Sequence, residues 1–319
     1  MNSSSKNGTQ MKSIVAIGEC MMELIPHGES QFIKGYAGDT YNALVYAKRF
    51  APQLTCEFFT AIGQDPMSHD MTTKWHSEGV DSSKVFQLNH ATIGVYSINV
   101  DEHGERSFSY WRKHSAATQM LSEKSVDDIV NHLSSAELIF YSGISLGILS
   151  DSDKAKLMTS LAILRQQGVK VAFDPNYRQA MWRDVDHATH WLIEAYRGCD
   201  IALPGIEEHS HLFNQQTAQQ ISQFCTDLGS QEVIVKAGEQ GTYGYSTGEM
   251  VAHIPFKPAP VQVDSTAAGD SFAGTYLAAR AVGHNIEQAI NKACFIAGEV
   301  VQFKGAILPQ THYNALINQ

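Results

Sequence analysis

"ELIFYSGISLGILSDSDKAKLMTSLAILRQQGVKVAFD", residues 137–174, begins and ends on an apolar run. ELIFYS (137–142) and VKVAFD (169–174) have the length and the aromatic and β-branched content of buried strands, and 151–167 between them carries helical spacing. The same alternation continues in both directions. Further strands are expected at SIVAIG (13–18), EFFTAI (57–62), DIAL (200–203) and EVIVK (232–236), with IVAIGECMMELI taken whole as the first strand. Helices are expected around 40–50, 67–78, 122–135, 187–197, 206–213 and 217–228. Such a succession predicts an α/β fold, a mostly parallel sheet with helices on both faces. GTYGYS (241–246) and EMVAHI (249–254) read as an edge hairpin. A last helix pair follows from the 272–282 pattern and from Ile286, Ile290, Cys294, Ala297 and Val301.

One stretch interrupts this rhythm. IGVYSINV (93–100), the turn DEHGER and SFSYW (107–111) form a hairpin with no helix between its strands. Period two puts Tyr96, Ile98 and Val100 on one face, and Arg106, Phe108, Tyr110 and Arg112 together on the partner strand. Aromatics mixed with guanidinium groups suit a small β lid, about 91–112, over a polar ligand. No linker or repeat divides 11–319, so a single domain is expected, preceded by a polar leader or tag over 1–10.

Composition excludes several classes. The 319 residues carry a net charge of −10 with no basic run, which argues against nucleic acid, and no apolar stretch reaches membrane-spanning length. Five scattered cysteines without a C-x-x-C pair favour a reducing cytoplasm over disulfides or structural zinc. Among fourteen histidines, His209 and His211 are expected on different faces of one helix as solvated surface residues, not as metal ligands.

Four short motifs carry chemistry. DSTAAGDSF (264–272) brackets five small residues between acids, directly before a helix expected to begin at Asp270 or Ser271. A bare turn at a helix N-terminus suits an anion, although an Asp there also serves as a plain N-cap. The amides of Ala267, Ala268 and Gly269 could hold a transferring phosphoryl group, with Asp270 as carboxylate base. KAGEQGTYG (236–244) is a strand end and a glycine-rich turn. In GDTYNAL (38–44), Gly38 and Asp39 open a helix on which Asp39 and Asn42 sit one turn apart, either as polar hooks or with Asp39 as a plain N-cap. In FDPNYR (173–178), Pro175 breaks the chain at the ligand end of a buried strand and puts Asn176 and Arg178 into the crevice. There is no P-loop, no protein-kinase motif pair, no G-x-G-x-x-G after the first strand, and GISLG (143–147) is no nucleophile elbow.

From Met11 onward the chain resembles the ribokinase-like (PfkB) carbohydrate kinases. DSTAAGD matches their C-terminal signature, with Ala267 standing where the family has its first glycine. DPNYR, SYWR (109–112) and GDTYN make it similar, within that family, to kinases of 2-keto-3-deoxygluconate (KDG). The resemblance implies a three-layer sandwich and ATP- and Mg²⁺-dependent phosphorylation of KDG at C6. It implies that Asp270 is the base and that the Ala267–Asp270 amides hold the γ-phosphate. It places Gly38, Asn42, Tyr96, Tyr110, Arg112 and Arg178 on the keto acid, and guanidinium forks suit its carboxylate. It assigns Lys236, Gly238, Gly241 and Thr242 to nucleotide phosphates, Asn291 to adenine, and Glu208 to organising magnesium, with Gly205 in place of that acid's usual asparagine partner. A monovalent cation such as K⁺ near Asp264, the choice between gluconate and galactonate epimers, and a homo-oligomer paired through the lid stay open. The alternatives are a fructokinase or other sugar kinase of the family, against which Arg112 and Arg178 speak, and an inactive sugar sensor, against which Asp270 speaks.

Overall fold

The computed structural model describes residues 11–28, 30–100 and 106–317; the expected leader and most of the DEHGER turn lie outside them. In chain order the elements begin with β1 (Ser13–Ile17), β2 (Met21–His27), β3 (Gln31–Ala37), α1 (Asp39–Phe50), β4 (Thr55–Ile62) and α2 (Pro66–Ser77). The short strands β5 (Val80–Asp81) and β6 (Val85–Gln87) precede β7 (Val95–Val100), β8 (Arg106–Trp111) and α3 (Val126–Leu133). The stretch quoted above folds as β9 (Leu138–Ser142), α4 (Gly143–Gly147), α5 (Asp151–Gln166) and β10 (Lys170–Asp174). Then come α6 (Val185–Arg197), β11 (Ile201–Ala202), α7 (Ile206–Phe213), α8 (Ala218–Asp227) and β12 (Glu232–Lys236). The chain closes with β13 (Thr242–Ser246), β14 (Glu249–Ile254), α9 (Ala268–Ala281), α10 (Ile286–Val300) and α11 (Gln310–Ile317).

The large sheet runs β14-β13-β12-β11-β10-β9-β1-β4-β5, with β6 also on β4. Its pairs are parallel from β12 to β5, and β13 and β14 form the expected antiparallel edge. Period two along the buried strands builds two cores. Ile14, Ala16, Phe58 and Phe140 face one way and pack under α1, α9 and α10, through residues such as Leu44, Tyr276 and Ile290. Val15, Ile17, Phe59 and Phe173 face the other and meet Ile129, Leu161, Leu192 and Ile221 of α3, α5, α6 and α8. The result is three layers. No helix among the described residues is long and apolar enough to cross a membrane.

Several expectations need correction. IVAIGECMMELI is two strands in different sheets: β1 stops at Ile17, and β2 joins a second sheet ordered β3-β2-β7-β8. This second sheet is four-stranded, and the hairpin expected as a lid is half of it. Helix α9 starts at Ala268, before the expected Asp270 or Ser271, because alanine and the first bond, Ser271 N–H to Ala267 carbonyl at 2.9 Å, already favour helix there. His211 is exposed as expected, but His209 is fully buried. Its Nε2 lies 2.6 Å from the Tyr196 hydroxyl and its Nδ1 2.8 Å from Gln215 Oε1, and burial pushes its pKa down to about 4, leaving a neutral core imidazole.

Candidate active site

Parallel strands place their C-terminal ends on one edge, and the helices that follow turn their N-termini toward it. Here that edge receives Glu19 after β1, Asp174 at the end of β10, Lys236 at the end of β12, and the first turns of α1 and α9. Asp174, Asn176, Arg178, Glu208, Lys236, Gly269 and Asp270 line one cavity of about 150 Å³. The motifs at 173–178, 236–244 and 264–272 thus meet, although roughly 30 to 90 positions separate them in sequence.

Gly269 opens onto empty space, with no heavy atom within 4 Å of where a side chain would begin. Ala268 N–H donates to the Ser265 carbonyl at 3.2 Å, whereas the amides of Ala267, Gly269 and Asp270 have no acceptor among the described residues. An anion at the start of α9 would complete them. Ala267, where the family has glycine, is buried with φ −114°, a conformation open to any residue. Alanine therefore serves the turn without strain.

Asp270 Oδ2 accepts a hydrogen bond from Asn42 Nδ2 at 2.8 Å, and no described residue bonds Oδ1. Burial holds the Asp270 carboxyl well above its ordinary range, and Asp39 and Asp174 add to this against the pull of Asn42 and Arg178. Asp39 is itself raised by burial, and it accepts from Asn176 Nδ2 at 3.0 Å. Asn176 takes a left-handed φ of 31°, which asparagine tolerates, and its N–H donates to Asp174 Oδ1 at 3.1 Å. Asp39, Asn42 and Asn176, expected as hooks for substrate, thus spend hydrogen bonds on neighbouring residues of the site.

Lys236 Nζ donates to Asp174 Oδ2 at 2.7 Å, and its pKa is raised because Asp174 and Glu208 outweigh burial. Glu208 Oε1 accepts from Gly205 N–H at 2.7 Å and Oε2 from Tyr177 N–H at 3.0 Å, so this acid holds backbone on both sides. Among the described residues no group of three or more His, Cys, Asp or Glu could hold a metal by itself. Arg178 is exposed, and its guanidinium makes no hydrogen bond or ion pair with any described residue; its carbonyl accepts from Met181 N–H at 2.9 Å. Gly241 has φ +90°, and a side chain there would meet the Ile254 carbonyl at 2.3 Å, so the glycine is required; Gly238 also has a positive φ, 54°. Thr242 is buried, with Oγ1 3.6 Å from Cys294 Sγ on α10, and Asn291, one turn earlier on that helix, is exposed with its amide on the Glu287 carbonyl. Of the residues expected on the nucleotide side, Lys236 and Gly269 line the cavity, whereas Gly238, Gly241, Thr242, Ala268 and Asn291 do not.

The residues of the expected lid differ most from expectation. Arg112 makes an ion pair with Glu19, whose other oxygen accepts from Ser115 Oγ; Glu19 is buried and its pKa raised by that burial. Tyr96 is buried and donates to Glu23 Oε1 at 2.6 Å, while Tyr110 stays exposed with its ring 5.9 Å from the Arg112 guanidinium carbon. Gly38 caps α1, its N–H 3.4 Å from Asn42 Oδ1. Sequence reasoning missed Glu19, Glu23 and Asp174. For Asp174 the available signal was an acid at the end of an otherwise apolar strand, where burial leaves it only functional or paired roles.

Residues 11–312 match the pattern of the pfkB family carbohydrate kinases. The chain is 36% identical over 303 residues to a 2-dehydro-3-deoxygluconokinase of Escherichia coli (strain K12), covering 94% of this chain and 98% of that one. It is 34% identical to a protein of the same name from Dickeya dadantii (strain 3937), covering 93% and 97%. Among solved structures, a PfkB protein from Polaromonas sp. JS666 superposes with a TM-score of 0.82 at 25% identity, covering 96% of this chain and 99% of that one.

Proposed function

Since this chain belongs to the pfkB family of carbohydrate kinases, we propose that it transfers the γ-phosphoryl group of ATP to the C6 hydroxyl of 2-keto-3-deoxygluconate. The observation that carries the reading is Arg178, whose guanidinium has no hydrogen bond or ion pair among the described residues, in the wall of the cavity that also holds Asp270. A carboxylated sugar gives that cation a partner, and a neutral sugar does not. The names of the relatives point the same way.

The chemistry follows from position and charge. Asp270 Oδ1 takes the proton of the C6 hydroxyl as its oxygen bonds to the γ-phosphorus and the bond from that phosphorus to the bridging oxygen breaks, releasing ADP. The free amides of Ala267, Gly269 and Asp270 hold the phosphoryl oxygens as charge redistributes. Lys236, already balanced by Asp174, supplies positive charge without moving. Mg²⁺, when bound with the nucleotide, neutralises charge on the β- and γ-phosphate oxygens. An ion carried mainly by phosphates and water needs only one or two carboxylates, which Asp174 and Glu208 offer in the cavity wall. Asp264 is buried and accepts from Thr266 N–H, Thr266 Oγ1 and Gly305 N–H at 3.1, 2.6 and 2.8 Å. A monovalent ion beside that loop is tested by comparing K⁺ with Na⁺.

The deciding experiment is ADP release with KDG, fructose and ribose at equal concentration. The expected order puts KDG far ahead. Faster turnover of fructose would replace the acid-sugar reading with a neutral-sugar one.

A further inference from the structure

The proton acceptor is not held by its own helix. Asp270 lies in the first turn of α9, yet the one hydrogen bond its carboxylate makes among the described residues comes from α1, where Asn42 is only 3% exposed. The two helices pack tightly at this level: a side chain on Gly274, one turn beyond Asp270, would meet the Ala43 carbonyl at 2.0 Å. The orientation of the Asn42 amide is fixed by what flanks it. Its oxygen faces Gly38 N–H at 3.4 Å and its nitrogen faces Asp270 Oδ2 at 2.8 Å. The flipped amide would oppose donor to donor and oxygen to carboxylate.

Resting on the reading of Asp270 as the base, we propose that Asn42 is a positioning residue that clamps Oδ2 of Asp270 and thereby presents Oδ1 to the sugar hydroxyl. The charged groups around Asp270 show why an amide is suited to this place. Asp39 of α1 and Asp174 of β10 oppose its ionisation; Arg178 after β10 and Lys236 of β12 favour it. A neutral donor steadies the ionised carboxylate without adding a further charge to the cluster, and a donor bonded to the ionised form favours that form. An aspartate at 42 would do the reverse on both counts.

The sign of the pH effect is fixed. Asn42 lowers the pKa of Asp270, so its removal raises that pKa, and the base is ionised only at higher pH. For Asn42→Ala, kcat at neutral pH should fall about 10- to 100-fold, the scale of one lost hydrogen bond to a charged group. The acidic limb of kcat/KM should move up by about one pH unit. Much of the loss should return at pH 9, and KM for KDG and ATP should change less than about threefold. Asn42→Ser keeps a shorter donor and should shift the limb by less, in the same direction; it carries the test alone if Asn42→Ala does not fold. A raised KM for KDG with kcat and the acidic limb unmoved would make Asn42 a sugar contact and overturn the proposal. Failure of the underlying reading would look different. Asp270→Asn would then keep its activity, whereas an inactive Asp270→Asn beside an unshifted limb in the Asn42 variants sinks the clamp alone.

Discussion

Arg178 and Arg112 were expected to play the same part, and their surroundings separate them. Arg112 meets Glu19 beneath the lid, while Arg178 has no described partner, not even the nearby Asp184, which pairs with Arg183. A neutral partner at 178 should therefore affect the sugar more than the fold. Arg178→Met should lose a charge-assisted contact of about 1.5–3 kcal/mol, a fall of roughly 10- to 150-fold in kcat/KM for KDG, with KM for ATP steady. A KDG analogue reduced at C1 to the alcohol provides the control. Wild type should discriminate strongly between the two substrates and the variant much less; equal losses on both would move Arg178 to the phosphate path. Asp270→Asn should lower kcat by roughly 10²–10⁴ with both substrates still bound, and retention of half the activity would reduce Asp270 to a helix cap.

Helices and strands carry the next set of consequences. Gly274 lets α9 lie against α1, so Gly274→Ala should force the pair apart, at a cost of about 1–3 kcal/mol for overpacking. The same displacement should loosen the bond between Asn42 and Asp270, lowering kcat in parallel with the denaturation midpoint. Closure of the lid should exclude water from the transferring group, so amide exchange in β7 and β8 should slow when KDG and nucleotide are both bound; unchanged exchange would remove the lid from the mechanism. The main sheet was legible in sequence because its strands are buried on both faces and read as unbroken apolar runs, as in β1, β9 and β10. β2 and β3 were not, because Pro26, Lys34 and the charged Glu23 break both alternation and continuity, and β3 is exposed over its first four residues. Asp270, Gly269, Lys236 and Arg178 could be read from local motifs at strand ends and helix starts. That Glu19 would occupy Arg112, or Glu23 the Tyr96 hydroxyl, could not, since each pairing joins segments about 70 to 95 residues apart and depends on the lid's register.

At the scale of the whole molecule, the C-terminal segment is fastened to α1. Arg49 donates to Glu78 Oε2 from Nε at 3.2 Å and from Nη2 at 2.7 Å, both side chains being buried, and its Nη1 reaches the Leu308 carbonyl at 2.6 Å. Tyr46 links the same segment, donating to the Ala306 carbonyl and accepting from Leu308 N–H, each at 3.0 Å. Glu78→Ala leaves a buried guanidinium without its carboxylate and should cost about 3 kcal/mol in a urea melt. Burial alone would raise the Glu78 pKa, but Lys74 and Arg49 hold it below the usual range. Its contribution should therefore be complete above the unfolded carboxyl pKa and fade as pH falls through the lower folded value, which melts of wild type and variant across that range would show. The second sheet has a consequence of another kind. Its strands come from two excursions, 21–37 and 95–111, and each ends where it starts: Met21 pairs with Ala37, and Ala116 N–H returns to the Thr92 carbonyl at 2.8 Å. On the reading of that sheet as a lid, the cover over the sugar is a pair of removable cassettes, set into a floor whose threading they do not alter. Transplanting both from a neutral-sugar kinase should change KM for the sugar and leave KM for ATP where it was, so that descent could revise the diet of such an enzyme without touching its chemistry.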